Sequence, residues 1–205
     1  MVAMEDVLLM VSAPNTDEEE RGLILRCQGG DQTAFEPLVQ RYKRRAAGFA
    51  LGWTGNHDDA LDLSQEAFAR AYRALSRFDP DRPFYPWFHR ILKNLCLNYL
   101  RRKTIRREVP LEDVGPRADR APLPDVAADR SELRAAVWAA IRRLREQDRE
   151  ILILREFQDL TYAEIASVLD IPRGTVMSRL HHARLRLRDQ LVPYVQSRRG
   201  PKETT

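Results

Sequence analysis

"TYAEIASVLDIPRGTVMSRLHHARLRLR", residues 161–188, reads as two helices joined by a short proline-containing turn. Thr161 followed by Glu164 is a capping box, which predicts a helix from Tyr162. Ile165, Ala166 and Leu169 share one face of it. Pro172 cannot continue that helix but suits the first turn of a new one. Val176, Leu180, Ala183 and Leu187 then recur at helical spacing as an apolar stripe. Ser178, His181 and His182 point away from the stripe, with Met177 at its border and Arg173, Arg179, Arg184 and Arg186 on the flanks. A buried seam, hydrogen-bonding groups in the middle and cations at the edges is the pattern of a helix-turn-helix that reads DNA. The plain alternative is a charged amphipathic helix at the end of a bundle.

A chain of 205 residues suits one or two domains and can bury a real core. No apolar run approaches the ~20 residues of a membrane span, so membrane insertion is not expected. The apolar start "VLLMVSA" follows Glu5 and Asp6 rather than lysine or arginine, the wrong charge for a signal peptide. Cys27 and Cys96 are isolated and give neither metal spacing nor a disulfide framework, as expected of buried thiols in a cytoplasmic protein.

The net charge of +4 conceals a pattern. Residues 1–20 form an acidic tail with six acids and no bases. Residues 21–107 carry 17 bases against 8 acids, and residues 133–205 carry 14 against 9. Between them, 108–132 hold 3 bases and 7 acids in a proline-containing stretch with few large apolar residues. Such a segment does not repay its ordering entropy and reads as a linker. Two basic modules on one leash suggest a polyanion touched at two places. Residues 109–130 span at most about 70–80 Å when extended.

Both blocks read as helical. In the first, Asp31 is the candidate cap of a helix that includes "TAFEPLVQRYKRRAAGFALGW"; "HDDALDLSQEAFARAYRAL" and "FYPWFHRILKNLCLNYLRRK" follow, the last despite Pro86. In the second, Asp129 and Glu132 form a capping pair before "ELRAAVWAAIRRL" and "QDREILILREFQ". Period-two alternation is absent over any useful length, so no sheet is expected.

Two stretches of the first block carry further signal. Gln65 and Glu66 are neighbours on a helix, about 100° apart, and cannot both be core. Solvated surface is the ordinary explanation; a polar contact among apolar anchors is the other. "FYPWFHRILKNLCLNYLRRK" interleaves Trp87, Tyr99 and other aromatics with Arg90, Asn94, Asn98, Arg101, Arg102 and Lys103. That mixture suits unstacked bases on a positive surface. A core aromatic cluster with a basic helix end explains Trp87 and Phe88 equally well.

In order, "GDQTAFEPLVQRY", "DLSQEAFARAYRAL", "FYPWFHRILKNLCLNYLRR" and "LTYAEIASVLDIPRGTVMSRLHHARLRLR" resemble extracytoplasmic-function sigma factors, close to the sigma-E branch, over residues 22–191. The resemblance implies an all-α fold: two small helical domains, region 2 (21–107) and helix-turn-helix region 4 (131–192), joined by a flexible acidic linker (108–130), with a C-terminal tail at 193–205. It implies an alternative sigma factor, not an enzyme, that needs no cofactor or metal. Its partners would be core RNA polymerase (beta and beta-prime subunits), promoter DNA and an anti-sigma factor, and its place the bacterial cytoplasm. By the same resemblance Asp62, Gln65, Glu66 and Phe68 bind the polymerase. Trp87, Arg90, Asn94, Asn98, Arg101, Arg102 and Lys103 serve the −10 element, with Asn94 at the pocket for a flipped base and a loop over Lys103–Arg107 completing it. Arg173, Thr175, Met177, Ser178, Arg179, His181, His182 and Arg184 serve the −35 element. Two positions depart from the family pattern: Asp170 stands where glycine is common, which Asp tolerates in a left-handed conformation, and Met177 stands where a cation is common, which removes one polar base contact.

Two rivals differ in class. Catalysis finds no phosphate-cradling glycine loop, zinc spacing or nucleophile set. A helix-turn-helix regulator acting without core polymerase accounts for residues 161–188 but not for the Gln-Glu helix and the aromatic-basic helix in that order.

Overall fold

The helical periodicity carries through into the structure, a computed structural model that describes residues 16–108 and 136–198 and holds no strand among them. Helix α1 (Thr16–Gln28) leads through a 3₁₀ turn (Gln32–Ala34) into α2 (Phe35–Thr54), α3 (His57–Ala74) and α4 (Phe84–Glu108). After the acidic stretch come α5 (136–143), α6 (Glu146–Leu152) with a π-helical end (Ile153–Phe157), α7 (Tyr162–Leu169) and α8 (Arg173–Arg198).

Local chemistry sets these boundaries. Asp31 accepts from the Thr33 amide at 3.0 Å and starts the 3₁₀ turn, so it caps the approach to α2 rather than α2 itself. Gly55, at φ 67°, ends α2 in the left-handed region that glycine adopts freely. Asn56 then caps α3 by accepting from the Asp59 amide at 2.9 Å, and Asp58 and Asp59 complement the helix dipole. Pro86 lies in the first turn of α4, where a missing N–H breaks no helical bond.

Helix α4 presents three ridges of side chains spaced four residues apart. Phe84, Phe88 and Leu92 are fully buried against α2 and α3, and Phe88 stacks on Phe68 with ring centroids 4.5 Å apart. Tyr85, His89 and Lys93 form the second ridge and meet the C-terminal helices. Arg90, Asn94 and Asn98 form the third and face outward.

The two helical units therefore share a seam that sequence reading did not anticipate. Tyr85 donates to Gln158 at 2.6 Å, and the Gln158 amide donates to the Arg45 carbonyl at 3.1 Å. Ile153 lies directly on the α2 backbone: a Cβ at Gly52 would sit 2.3 Å from its Cδ1. Arg149 covers the Trp53 ring at 4.9 Å.

Three boundaries differ from expectation. Charge alone assigns residues 1–20 to an acidic tail, but α1 begins at Thr16 and Glu20 is buried. Its carboxylate accepts from the Phe84 amide at 3.1 Å and from the Tyr42 hydroxyl, so it caps α4 from another helix. The expected loop at 103–107 is instead the last part of α4, because no glycine or proline interrupts "RRKTIRRE". Helix α8 runs through Pro193, where 192 was the expected end; proline costs only one backbone bond that close to a terminus. Residues 1–15, the acidic linker with its Asp129–Glu132 cap, and the end of the C-terminal tail lie outside the described residues.

Removing the Glu20 carboxylate leaves the Phe84 amide and Tyr42 hydroxyl buried without their acceptor. Glu20→Ala is expected to lose about 2–3 kcal/mol in urea unfolding. A loss below ~0.5 kcal/mol, the range of ordinary surface substitutions, would contradict the capping role.

Candidate nucleic-acid interface

The helix-turn-helix forms as its sequence requires. Thr161 accepts from the Glu164 amide at 3.2 Å while Glu164 accepts from the Thr161 amide at 2.7 Å, the reciprocal capping box. Asp170 ends α7 at φ 55° and ψ 50°, in the left-handed conformation expected of it. Helix α8 starts at Arg173, so Pro172 stands just before it and offers its carbonyl to the Val176 amide at 3.1 Å. Val176, Leu180 and Ala183 are buried and Leu187 packs beside them; on α7, Val168 is buried alongside Ile165, more deeply than the expected Ala166 and Leu169.

Anchoring that stripe aims the opposite face outward. Met177, Ser178, His181 and His182 are all exposed, as is Arg173, while Thr175 and Arg179 are half-buried. Arg184, expected at DNA, pairs with Glu156 at 2.7 Å, and Arg186 grips both oxygens of Asp148 at 2.8 and 2.9 Å. These two cations brace α8 against α6 and its π-helical end.

On α4, Arg90, Asn94, Asn98, Arg101, Arg102 and Lys103 are exposed. Lys103 donates to the Tyr99 hydroxyl at 3.0 Å, and Tyr99 donates to Asp59 at 2.5 Å, so the basic end of α4 is tied to α3. Trp87 is half-buried, 4.6 Å from the Phe78 ring, and acts as a wedge into the core with one side open. On α3, Asp62 and Gln65 are exposed; Glu66 is held by Arg70 at 2.7 Å and Arg73 at 3.4 Å. Phe68, expected at a partner surface, is buried between Phe35 and Phe88 and serves the core.

The two candidate DNA surfaces lie side by side. Arg90 reaches Asp170 of the helix-turn-helix turn at 3.4 Å, and Lys93 shares a cleft with Ser178, Arg179 and His182. At the floor of the seam, Lys93 donates to Glu150 at 2.8 Å. The other Glu150 oxygen lies 3.8 Å from His89 Nε2, too far for a hydrogen bond, and both atoms are buried without a partner. Burial raises the Glu150 pKa, while burial and the Lys93 charge lower that of His89 to about 3. Sequence reading missed Glu20, His89, Glu150 and Gln158. Only Glu20 had a local signal, in the "TDEE" helix-start pattern of residues 16–19 that precedes it.

Two family models match the chain: Sigma-70 region 2 over residues 38–105 and Sigma-70 region 4 over residues 134–187. The RNA polymerase sigma-H factor of Pseudomonas aeruginosa is 37% identical over 189 residues, covering 88% of this chain and 98% of that protein. The ECF RNA polymerase sigma-E factor of Escherichia coli is 36% identical over 184 residues, covering 85% and 95%. Among solved structures, CnrH in complex with the cytosolic domain of CnrY superimposes with a TM-score of 0.65 at 27% identity, over 85% of this chain and 98% of that one.

The buried His89 makes the fold acid-sensitive. Its folded-state pKa lies below the unfolded value, so the unfolded chain takes up the proton first. The stability of the neutral ring is complete above about pH 6.5 and is lost as pH falls toward about 3. Glu150 acts in the opposite sense above the carboxylate range, so a histidine variant isolates the first effect. Urea titrations of His89→Leu should show a shallower loss of stability between pH 6.5 and 4 than the parent chain. Equal slopes would remove His89 as the source.

Proposed function

This chain belongs to the extracytoplasmic-function sigma factors, and on that premise we propose how its surfaces divide the work of an alternative sigma factor that directs RNA polymerase to promoters. The unit at 21–107 engages the beta and beta-prime subunits of core polymerase through Asp62, Gln65 and Glu66 of α3. Its α4 ridge of Arg90, Asn94 and Asn98, continued by Arg101 and Arg102, takes the −10 element. Asn94 offers an amide donor and acceptor to the Watson–Crick edge of a flipped base. The unit at 131–192 takes the −35 element in the major groove with the exposed face of α8. The acidic linker at 108–130 repels DNA and joins the two readers.

One observation carries this reading: an outward polar ridge on α4 and an outward polar face on α8 are each fixed by a buried stripe behind them. Promoter elements one to two duplex turns apart are separated by roughly 35–70 Å. Arg90 and Asp170 in contact cannot serve both, so the seam opens when the factor works. An anti-sigma factor that holds the seam shut is the natural inhibitor; the similar CnrH was solved with the cytosolic domain of CnrY. The factor acts in the cytoplasm.

Assembly and melting separate the surfaces. Gln65→Ala with Glu66→Ala should reduce co-elution with core polymerase while leaving unfolding within about 0.5 kcal/mol, since neither side chain is buried. Asn94→Ala should assemble normally, form fewer open complexes on duplex promoters and recover in part when the −10 base is pre-melted. Full promoter specificity without core polymerase would favour a one-component regulator instead.

A further inference from the structure

Two side chains of the α8 reading face, Ser178 and His182, turn their hydrogen-bond donors onto carbonyls of their own helix. The Ser178 hydroxyl donates to the Thr175 carbonyl at 3.1 Å. His182 Nδ1 lies 2.8 Å from the Ser178 carbonyl oxygen. A carbonyl only accepts, so Nδ1 carries the hydrogen, and in the neutral ring Nε2 is left as a bare acceptor. Ser178 likewise shows its lone pairs outward. Met177, 55% exposed, adds an apolar surface without any donor. The nearby cations Arg184 and Arg186 are held by Glu156 and Asp148.

This set is the wrong chemistry for guanine, which presents the acceptors O6 and N7 in the major groove. The donors available there are the N4 amino group of cytosine and the N6 amino group of adenine, and the apolar feature is the thymine methyl. Ser178 and His182 stand one turn apart on one ridge, with Met177 about 100° to the side. Resting on the assignment of α8 as the −35 reader, we infer that Ser178 and His182 select an exocyclic amino group of adenine or cytosine and that Met177 selects an adjoining thymine methyl. An A·T pair offers both features. The −35 site of this factor is defined at these positions by amino and methyl groups.

Selection by reconstituted holoenzyme from promoters with a randomised −35 element, at pH 8, tests this. The parent chain should enrich adenine or cytosine at one position and thymine beside it. His182→Ala should relax the first preference by about fivefold or more, and His182→Arg, which restores donors, should turn that position to guanine. Met177→Ala should relax the thymine preference on the same scale. Guanine at the position that His182→Ala relaxes, or an unchanged thymine preference in Met177→Ala, overturns the inference and leaves the sigma assignment standing. No −35 selection by the parent chain overturns both the inference and the placing of α8 at that element.

Discussion

Helix α4 must satisfy three environments at once, and the rest of the structure is arranged around that demand. Its ridge of Phe84, Phe88 and Leu92 is buried in the aromatic core with Phe35, Tyr42 and Phe68. Side chains four apart on a helix lie nearly above one another, so fixing one ridge fixes the others at steps of about 100°. The core ridge thereby sends Tyr85, His89 and Lys93 toward the seam and Arg90, Asn94 and Asn98 toward solvent. Glu20 holds the start of the helix by accepting from the Phe84 amide. Disturbing that core rotates the outward polar ridge and the seam together.

The seam is a compromise. Apolar contact favours it: Ile153 and Leu154 are fully buried, and Ile153 occupies the space that a side chain at Gly52 would need. Its polar part is mixed: Tyr85, Gln158 and Lys93 find partners across it, while other groups gain little or go unmet. Arg90 and Asp170 are mostly exposed, and such pairs contribute about 0–1 kcal/mol. Inside, His89 Nε2 and one Glu150 oxygen are buried without partners, each at a cost on the order of 1–3 kcal/mol. A contact held by apolar surface and weakened by unmet polar groups can close in the free chain and still yield to a larger interface. That suits the proposed assignment, in which faces adjacent in the free chain stand far apart on a promoter.

What the sequence made legible was the part governed by local rules. The Thr161–Glu164 box, the left-handed Asp170, the stripe from Val176 to Ala183 and the outward Ser178 and His182 all follow from spacing within a few residues. The exposure of Asn94 and Asn98 followed in the same way. What stayed hidden was set by partners distant in the chain. Glu20 looked like one more acid in an acidic run, yet its partners are Tyr42 and Phe84. Gln158 stood only as the last residue of a helical stretch, yet it joins Tyr85 to Arg45. Phe68 sits beside exposed polar residues on α3, and only the placement of Phe35 and Phe88 shows that it faces inward. Arg184 carries the charge of a phosphate ligand but has Glu156 within reach.

On the proposed assignment the outward faces of α4 and α8 must separate for function. Arg82 and Ser167 are exposed, lie outside the assigned DNA contacts and line one cleft between the N-terminal unit and α7. Spin labels at Arg82→Cys and Ser167→Cys, in a background without Cys27 and Cys96, report the gap directly by pulsed dipolar spectroscopy. A short distance is expected in the free chain and roughly 35–70 Å in holoenzyme on a promoter with both elements protected. A distance that stays short while both elements are protected would contradict it.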